Sequence, residues 1–387
     1  MPHYRTVGTV PRKRHTKLAG PDGHPLFEEL LGTEGFSRES ALLYHRCSPS
    51  AILGVEAVDV PAPEPGGGVG PRHFGTTGLA PGDDLVSGRH RLLANADVTI
   101  GFARAGGPSP LYRSVVGDEL VYVHEGAAVL ESAFGALPVE AGDYVVVPAG
   151  PTHRWVPAPA GAAVLVIESS GHVRVPDTHL SPHGQMLEGA PFSERDLRAP
   201  AEPLQIEGTD VPVLVRTRTG WVRYRHATHP FDVVGWDGCL YPHALSIHDF
   251  EPIVGRIHQP PPVHQTWALP GAVVCSFVPR PYDFDPDAVR VPYHHHNVDS
   301  DEVLFYAEGD FMSRSGSGIQ RGSISFHPAG FTHGPQPGSS EKADAVDGTS
   351  EVAVMVDTFR PLQVLAAATT VEETGYWSSW GGSPAPT

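Results

Sequence analysis

Two segments of the chain repeat one pattern, and this duplication limits the fold more than any other feature of the sequence. Residues 118–126 read DELVYVHEG and residues 301–309 read DEVLFYAEG. In both, an acidic pair leads an apolar-rich run that ends in glycine seven residues after the glutamate. Two copies of one pattern predict two copies of one structural unit.

The repeat continues downstream of each acidic pair. Residues 142–153 read GDYVVVPAGPTH and residues 322–333 read GSISFHPAGFTH, so each reaches a histidine eleven residues after the glycine. Pro-Ala-Gly is suited to a turn between two strands. The 43 glycines and 40 prolines among 387 residues also favour short strands over helices. We therefore expect two small antiparallel barrels.

The paired motifs resemble those of the cupin family. That resemblance implies an all-β fold, a double-stranded β-helix (jelly-roll) bicupin with an elaborated N-terminal half. We divide the chain into an N-terminal arm with a degenerate, metal-free cupin and connector (1–228), a C-terminal catalytic cupin (229–365) and a C-terminal tail (366–387).

Histidines favour a metal site in the C-terminal unit alone. Residues 293–297 read YHHHN, and alternation along a strand places His294 and His296 on one face and His295 on the other. Glu302 follows six residues after His296, and His333 comes from the repeated hairpin. Two imidazoles and one carboxylate form the facial triad of non-haem iron oxygenases, although zinc or manganese would accept these ligands too.

The N-terminal unit has lost most of these groups. No histidine precedes Glu119 in SPLYRSVVGD, and Val147 stands where the second unit has His327. Only Glu119 and His153 remain, and two ligands rarely hold a catalytic metal. We expect this half to be structural.

Several further motifs make the chain resemble homogentisate 1,2-dioxygenase, in the shorter bacterial branch of that family, over nearly its whole length. The motifs are RTVGTVPRKRHTK (5–17), ALLYHR (41–46), FDVVGW (231–236), IHQPPPVHQT (257–266), YHHHN (293–297) and SFHPAGFTHGP (325–335).

The resemblance implies iron(II) held by His296, Glu302 and His333. Better-known members read Tyr-Tyr-His-Arg-Asn where this chain has YHHHN, so counting forward through the asparagine gives His295 instead. Strand alternation favours His296, which leaves His294 as a fourth ligand or a substrate contact.

The resemblance also implies other site residues. His258 matches the general base best, His264 is the reserve candidate, and His327 is expected near the substrate. The family's substrate-binding Tyr and Lys fall near Phe311 and Arg314, and Arg314 could bind the substrate carboxylate through paired hydrogen bonds.

The function implied is Fe(II)-dependent ring cleavage of homogentisate by O₂ to maleylacetoacetate, in tyrosine and phenylalanine catabolism. One alternative is a related cupin dioxygenase acting on gentisate or another hydroquinone acid. A second is a non-oxidative, metal-dependent bicupin, an isomerase or a small-molecule binder.

Charge and cysteine content restrict the partners and the compartment. A formal net charge of −17 disfavours nucleic acid and anionic membranes as partners. Three cysteines without a CxxC pair, no apolar signal core and no 18-residue apolar run predict a cytoplasmic protein. The expected partners are a small aromatic substrate and O₂, and the resemblance implies a homotrimer or hexamer.

Overall fold

Antiparallel β-strands make up most of the fold, so the all-β prediction is confirmed. The computed structural model describes residues 4–12, 18–32, 40–48, 52–58, 70–256, 259, 261–286, 288, 290–292, 295, 297–331 and 333–380. Across these residues, no helix combines the length and the apolar character that crossing a membrane requires.

The strands of the first part of the chain are β1 Arg5–Gly8, β2 Phe27–Gly32, β3 Ser40–His45, β4 Ile52–Val58, β5 Arg72–Gly75, β6 His90–Ala94, β7 Val98–Ala105, β8 Tyr112–Ser114, β9 Glu119–Ser132, β10 Gly135–Glu140, β11 Asp143–Val147, β12 His153–Ser169, β13 Thr209–Thr217 and β14 Gly220–Thr228. The remaining strands are β15 Val233–Gly238, β16 His243–Ser246, β17 Gln265–Leu269, β18 Ala272–Phe277, β19 Arg280–Pro281, β20 Asp301–Glu308, β21 Ser323–His327, β22 Gly348–Thr349, β23 Val352–Thr358, β24 Gln363–Val364 and β25 Glu372–Glu373.

Helices are short in the described part of the chain. The α-helices are α1 Ser339–Ala343 and α2 Ala366–Thr369. Single 3₁₀ turns span Thr76–Gly78, Asp177–His179, Glu194–Asp196, Ile247–Asp249, Pro261–His264, Met312–Arg314 and Tyr376–Ser378.

The repeated sequence forms the same three-strand arrangement twice. In the N-terminal barrel β9 lies between β11 and β12, and in the C-terminal barrel β20 lies between β21 and β23. The register agrees as well, because Glu119 faces Val147 and Glu168 across its neighbours. Glu302 faces His327 and Asp357 in the same way. The duplication seen in the sequence is therefore a duplication of structure.

The two halves of the chain exchange strands at their edges. β5, from the N-terminal half, pairs with β21 of the C-terminal barrel. Conversely, β16 pairs with β11, and β15 joins a sheet with β1, β2 and β3. The proposed boundary at residues 228/229 stays a prediction about sequence units, since these strands pair across it.

An aromatic core joins the barrels. Along β20, residues at odd positions point into this shared core, and Phe305 packs 6.1 Å from Phe102 and 6.2 Å from Tyr122, centroid to centroid. Tyr144 packs 6.3 Å from Trp267 in the same core. Residues at even positions face the interior of the C-terminal barrel instead. This alternation directs Glu302 into the barrel.

Candidate metal centre

The two acidic residues at the start of β20 have different roles. Asp301 holds a turn, and Glu302 faces the barrel interior. The Asp301 carboxylate accepts hydrogen bonds from the backbone N–H groups of Ala329 (2.8 Å) and Leu362 (2.7 Å). Ala329 lies in the Pro-Ala-Gly turn, so Asp301 fixes the hairpin that delivers His333. Glu302, next along the strand, takes the opposite face and is buried.

His295, Glu302 and His333 converge inside the C-terminal barrel. Backbone hydrogen bonds of 2.8 Å in both directions join His295 to His333. From Glu302, Oε1 lies 3.1 Å from Nε2 of His333, and Oε2 lies 3.6 Å from Nε2 of His295. In the described part of the chain, these three supply ligand atoms that all lie within 4.8 Å of one another.

The chemistry of these donors fits a divalent metal. His333 Nδ1 lies 2.9 Å from the Phe331 carbonyl oxygen, which can only accept, so Nδ1 carries the proton. Nε2 is then the nitrogen that would present its lone pair to a metal, and a cation between Nε2 and the carboxylate would bind both groups. Burial opposes ionisation of Glu302, but hydrogen bonds from the surrounding histidines outweigh it and hold the pKa well below its usual value.

His327 is a second partner of the carboxylate. Its Nδ1 lies 2.9 Å from Oε1 of Glu302, and its Nε2 lies 2.9 Å from the hydroxyl of Tyr376. Burial is the largest influence and lowers the pKa of His327 to about 4, so the imidazole is neutral near pH 7. Both ring nitrogens are thus engaged by protein groups.

The structure brings some of the predicted site residues together. Glu302, His333 and His327 lie in the cluster described above. Arg314 is buried, and it donates from Nε to the Tyr306 hydroxyl (2.9 Å) and from Nη1 to the Gly334 carbonyl (2.6 Å).

Of the other predicted residues, one is described and three lie outside the described residues. His264 is buried, with its ring 4.9 Å from that of Phe277. His258, His294 and His296 are outside the described residues, so those assignments stay predictions.

The N-terminal barrel holds an ion pair at the matching position. Arg89 donates to Glu119 (2.8 Å) and to Glu168 (3.1 Å), and the Tyr112 hydroxyl donates to Glu119 (2.7 Å). His153 pairs with Tyr112 across a bridge, as His333 pairs with His295. Tyr112 precedes Glu119 by seven residues, and His295 precedes Glu302 by seven.

That shared seven-residue spacing is the sequence signal that distinguishes the three neighbouring histidines. Aligning the repeat backwards from each glutamate matches Tyr112 with His295. The family pattern instead places the ligand histidine six residues before the glutamate, which would be His296.

Two residues of the candidate site lie outside the motifs identified in the sequence. Asp357 faces Glu302 from β23, and burial together with the charge of Glu302 raises its pKa to about 7. Tyr376 comes from the segment that the sequence marks only as a tail, and its contact with His327 spans 49 positions. The register of the repeat could have identified Asp357, the counterpart of Glu168, but no motif points to Tyr376.

Comparison with known proteins gives the family. The chain is 37% identical over 386 residues to a Saccharolobus solfataricus protein named "Putative dioxygenase SSO1533", covering 98% of this chain and 99% of that one. The chain belongs to this family of homogentisate-dioxygenase-like proteins. No family model matches the chain.

Two homogentisate 1,2-dioxygenases are more distant relatives. The protein from Caenorhabditis elegans is 28% identical over 243 residues, covering 60% of this chain. The protein from Bradyrhizobium diazoefficiens is 26% identical over 283 residues, covering 68% of this chain. The matched regions span 53% and 61% of these two relatives. Membership therefore gives a dioxygenase family, while the substrate is a separate question.

Two motifs that carried the resemblance contact each other away from the metal centre. His45 of ALLYHR lies between two carboxylates, with Nδ1 2.6 Å from Asp232 of FDVVGW and Nε2 2.9 Å from Glu29. Burial opposes protonation, but these carboxylates raise the pKa of His45 to about 9. The two motifs therefore belong to the sheet of β1, β2, β3 and β15 (the N-terminal sheet) and not to the candidate site.

Proposed function

We propose that the protein is an Fe(II)-dependent dioxygenase that opens the ring of homogentisate with O₂ to give maleylacetoacetate. The observation that carries the proposal is the convergence of two imidazoles and an ionised carboxylate in a barrel of a dioxygenase family. Both oxygen atoms of O₂ enter the product, so the reaction needs no external reductant.

We assign the metal ligands as His295, Glu302 and His333. The backbone bridge between His295 and His333 and the spacing shared with Tyr112 support His295. His296, favoured by counting back from Glu302, is the alternative. Two imidazoles with one carboxylate leave positions open, as an iron oxygenase requires.

The chain's own residues have distinct roles in this proposal. Bound Fe(II) would supply the positions at which substrate and O₂ meet and would relieve the spin barrier to their reaction. His258 would accept a phenolic proton, since a neutral imidazole suits that task near pH 7. His264 is the reserve base. His327 donates from Nδ1 to Glu302 and so holds the carboxylate in place.

Oxygen uptake tests the activity. The chain is loaded with Fe(II) without air, and O₂ consumption is measured with homogentisate and, separately, with gentisate, while the product is identified by mass spectrometry. We expect equal consumption of O₂ and homogentisate. Faster turnover of gentisate would point to the related hydroquinone acids, and full iron loading without O₂ uptake would favour a non-oxidative bicupin.

Matched variants test the assignments. His295→Ala should lose iron, whereas His296→Ala should retain it; the reverse result would restore His296 as the ligand. His258→Gln should retain iron and lose roughly 10²–10⁴-fold in kcat, the usual contribution of a general base. If His264→Gln shows that loss instead, the base is His264. Light scattering tests the proposed trimer or hexamer.

A further inference from the structure

A tyrosine from the C-terminal segment contacts the proposed metal centre through His327. The Tyr376 hydroxyl lies 2.9 Å from His327 Nε2, and the two rings stack with centroids 5.8 Å apart and planes 16° from parallel. We propose that Tyr376 is a positioning residue, which fixes the tautomer of His327 and thereby the orientation of Glu302. This inference rests on the proposed metal centre.

The tautomer follows from what each group can donate. An ionised carboxylate only accepts, so Nδ1 of His327 carries the proton that points to Glu302. In that tautomer Nε2 is the acceptor, and it accepts the hydrogen of the Tyr376 hydroxyl at 2.9 Å. Removing that hydroxyl leaves a buried acceptor unpaired and makes the opposite tautomer accessible.

Tyr376 is itself the middle of a longer buried chain of hydrogen bonds. Arg314 donates to the Tyr306 hydroxyl (2.9 Å), which lies 3.1 Å from Ser325 Oγ. Ser325 also hydrogen-bonds Tyr376. A guanidinium cannot accept and a carboxylate cannot donate, so one consistent arrangement points every proton from Arg314 towards the metal centre. The carboxylate end of the chain sets the direction at Tyr376, because a His327 Nδ1 proton directed to Glu302 leaves Nε2 to accept from the tyrosine hydroxyl.

The N-terminal barrel keeps the glutamate of this hydrogen-bond chain but lacks its other barrel residues. By register and spacing from the repeated glutamate, Val147 replaces His327, Val145 replaces Ser325, and Val123 replaces Tyr306. Among the described residues, the hydrogen-bond chain therefore occurs only in the barrel that presents the proposed metal ligands. That coincidence indicates a role in the metal centre rather than in barrel stability.

Neighbouring residues of the C-terminal segment also fix the position of Tyr376. Gly375 precedes it with φ at 89°, a conformation that favours glycine, and the Trp380 ring packs 5.1 Å from the tyrosine ring. Tyr376 also lines a cavity of about 550 Å³, together with His73 and Ser323. Tyr376→Phe would keep the ring while removing only the hydroxyl.

The test compares Tyr376→Phe with Tyr112→Phe. Both tyrosines are buried, and Tyr112 donates to the glutamate that matches Glu302, but in the N-terminal barrel. Fe(II) affinity is measured by chelator competition, and the metal environment by electron paramagnetic resonance of the nitric oxide adduct. Groups that orient metal ligands typically contribute 10–100-fold to metal affinity or activity, so we expect Tyr376→Phe to weaken Fe(II) binding roughly 10-fold and to change the spectrum. Tyr112→Phe should alter only the melting temperature.

A double variant tests the route through His327. His327→Asn keeps a donor close to the position of Nδ1 and removes Nε2, so adding Tyr376→Phe to it should weaken Fe(II) binding no further. Additive losses, or a Tyr376→Phe protein with wild-type affinity and spectrum, would overturn the proposal. Wild-type protein that binds Fe(II) without consuming O₂ would instead refute the proposed function, and the affinity measurements would still decide the role of Tyr376.

Discussion

The two barrels use one backbone arrangement for two opposite purposes. In both, an Asp-Glu pair starts the central strand, the aspartate holds a Pro-Ala-Gly turn, and the glutamate faces inward. In the N-terminal barrel the Arg89 guanidinium lies between Glu119 and Glu168. In the C-terminal barrel the corresponding glutamate meets histidines. The comparison shows that the chain itself supplies the cation in the N-terminal barrel, and it supports the proposal that a metal takes that place in the C-terminal barrel.

The difference also separates stability from chemistry. Arg89 brings a permanent charge and several donors, so it pairs with both carboxylates, and Arg216 adds a second ion pair to Glu168 at 2.9 Å. Imidazoles bring lone pairs instead, and an added cation can bind them. The N-terminal barrel can therefore serve as a rigid partner in the shared aromatic core, while the C-terminal barrel holds the proposed metal centre.

The largest difference in iron content is expected between a variant of His333 and the matching variant of its counterpart His153. Both are almost fully buried. We expect His333→Ala to lose iron and O₂ uptake, because an incomplete ligand set does not hold the metal, whereas His153→Ala should retain one iron per chain. Metal analysis by mass spectrometry measures both. Iron lost from His153→Ala but kept in His333→Ala would reverse the roles of the barrels.

Removal of Arg89 should cost much of the stability of the chain. Arg89→Met leaves two buried carboxylates without their shared partner, and breaking a buried ion pair typically costs about 3–5 kcal/mol. Denaturant unfolding measures the change. Arg104→Met, which removes a partly exposed pair with Glu125 at 3.6 Å, is the control and should cost at most about 1 kcal/mol. Equal losses would mean that Arg89 is not a substitute for a cation.

The pH dependence of stability should reveal the ion pair of His45 in the N-terminal sheet. Its pKa is about 9 in the folded chain against an ordinary value of 6.5, so its stabilisation is complete below pH 6.5 and is lost as pH rises through 9. The full loss is on the order of 3 kcal/mol. Unfolding free energies between pH 6 and about 10 test this. A His45→Gln variant should lack this component, and an unchanged slope in that variant would exclude His45.

The smallest effects should be alike in the two barrels. Asp118 accepts backbone hydrogen bonds from Ala149 (2.8 Å) and Val173 (2.9 Å), as Asp301 does in the second barrel. Asn can accept at one position only, so Asp118→Asn and Asp301→Asn should each cost about 1–3 kcal/mol. Iron content should survive in both. A much larger loss in one barrel would show that the turns are not equivalent.

The sequence by itself determined the all-β architecture and pointed to the barrel that holds the candidate site. Repeated Asp-Glu and Pro-Ala-Gly segments depend on local turn and strand preferences, which act over a few residues and can be read directly. The same local comparison found that Val147 replaces His327, which predicts that only one barrel binds metal. Glu302 and His333 followed from that reasoning, and both lie in the cluster.

Tertiary structure decided what faces inward and what meets across the fold. Strand alternation predicts that His295 faces away from its two neighbours, but which face points into the barrel depends on the bridge to His333, 38 residues further along the chain. Likewise, His45 and Asp232 meet over 187 positions, and Tyr376 reaches His327 from a segment without a motif. Such contacts depend on how strands pair and pack, and these pairings involve residues too distant in sequence for local preferences to specify.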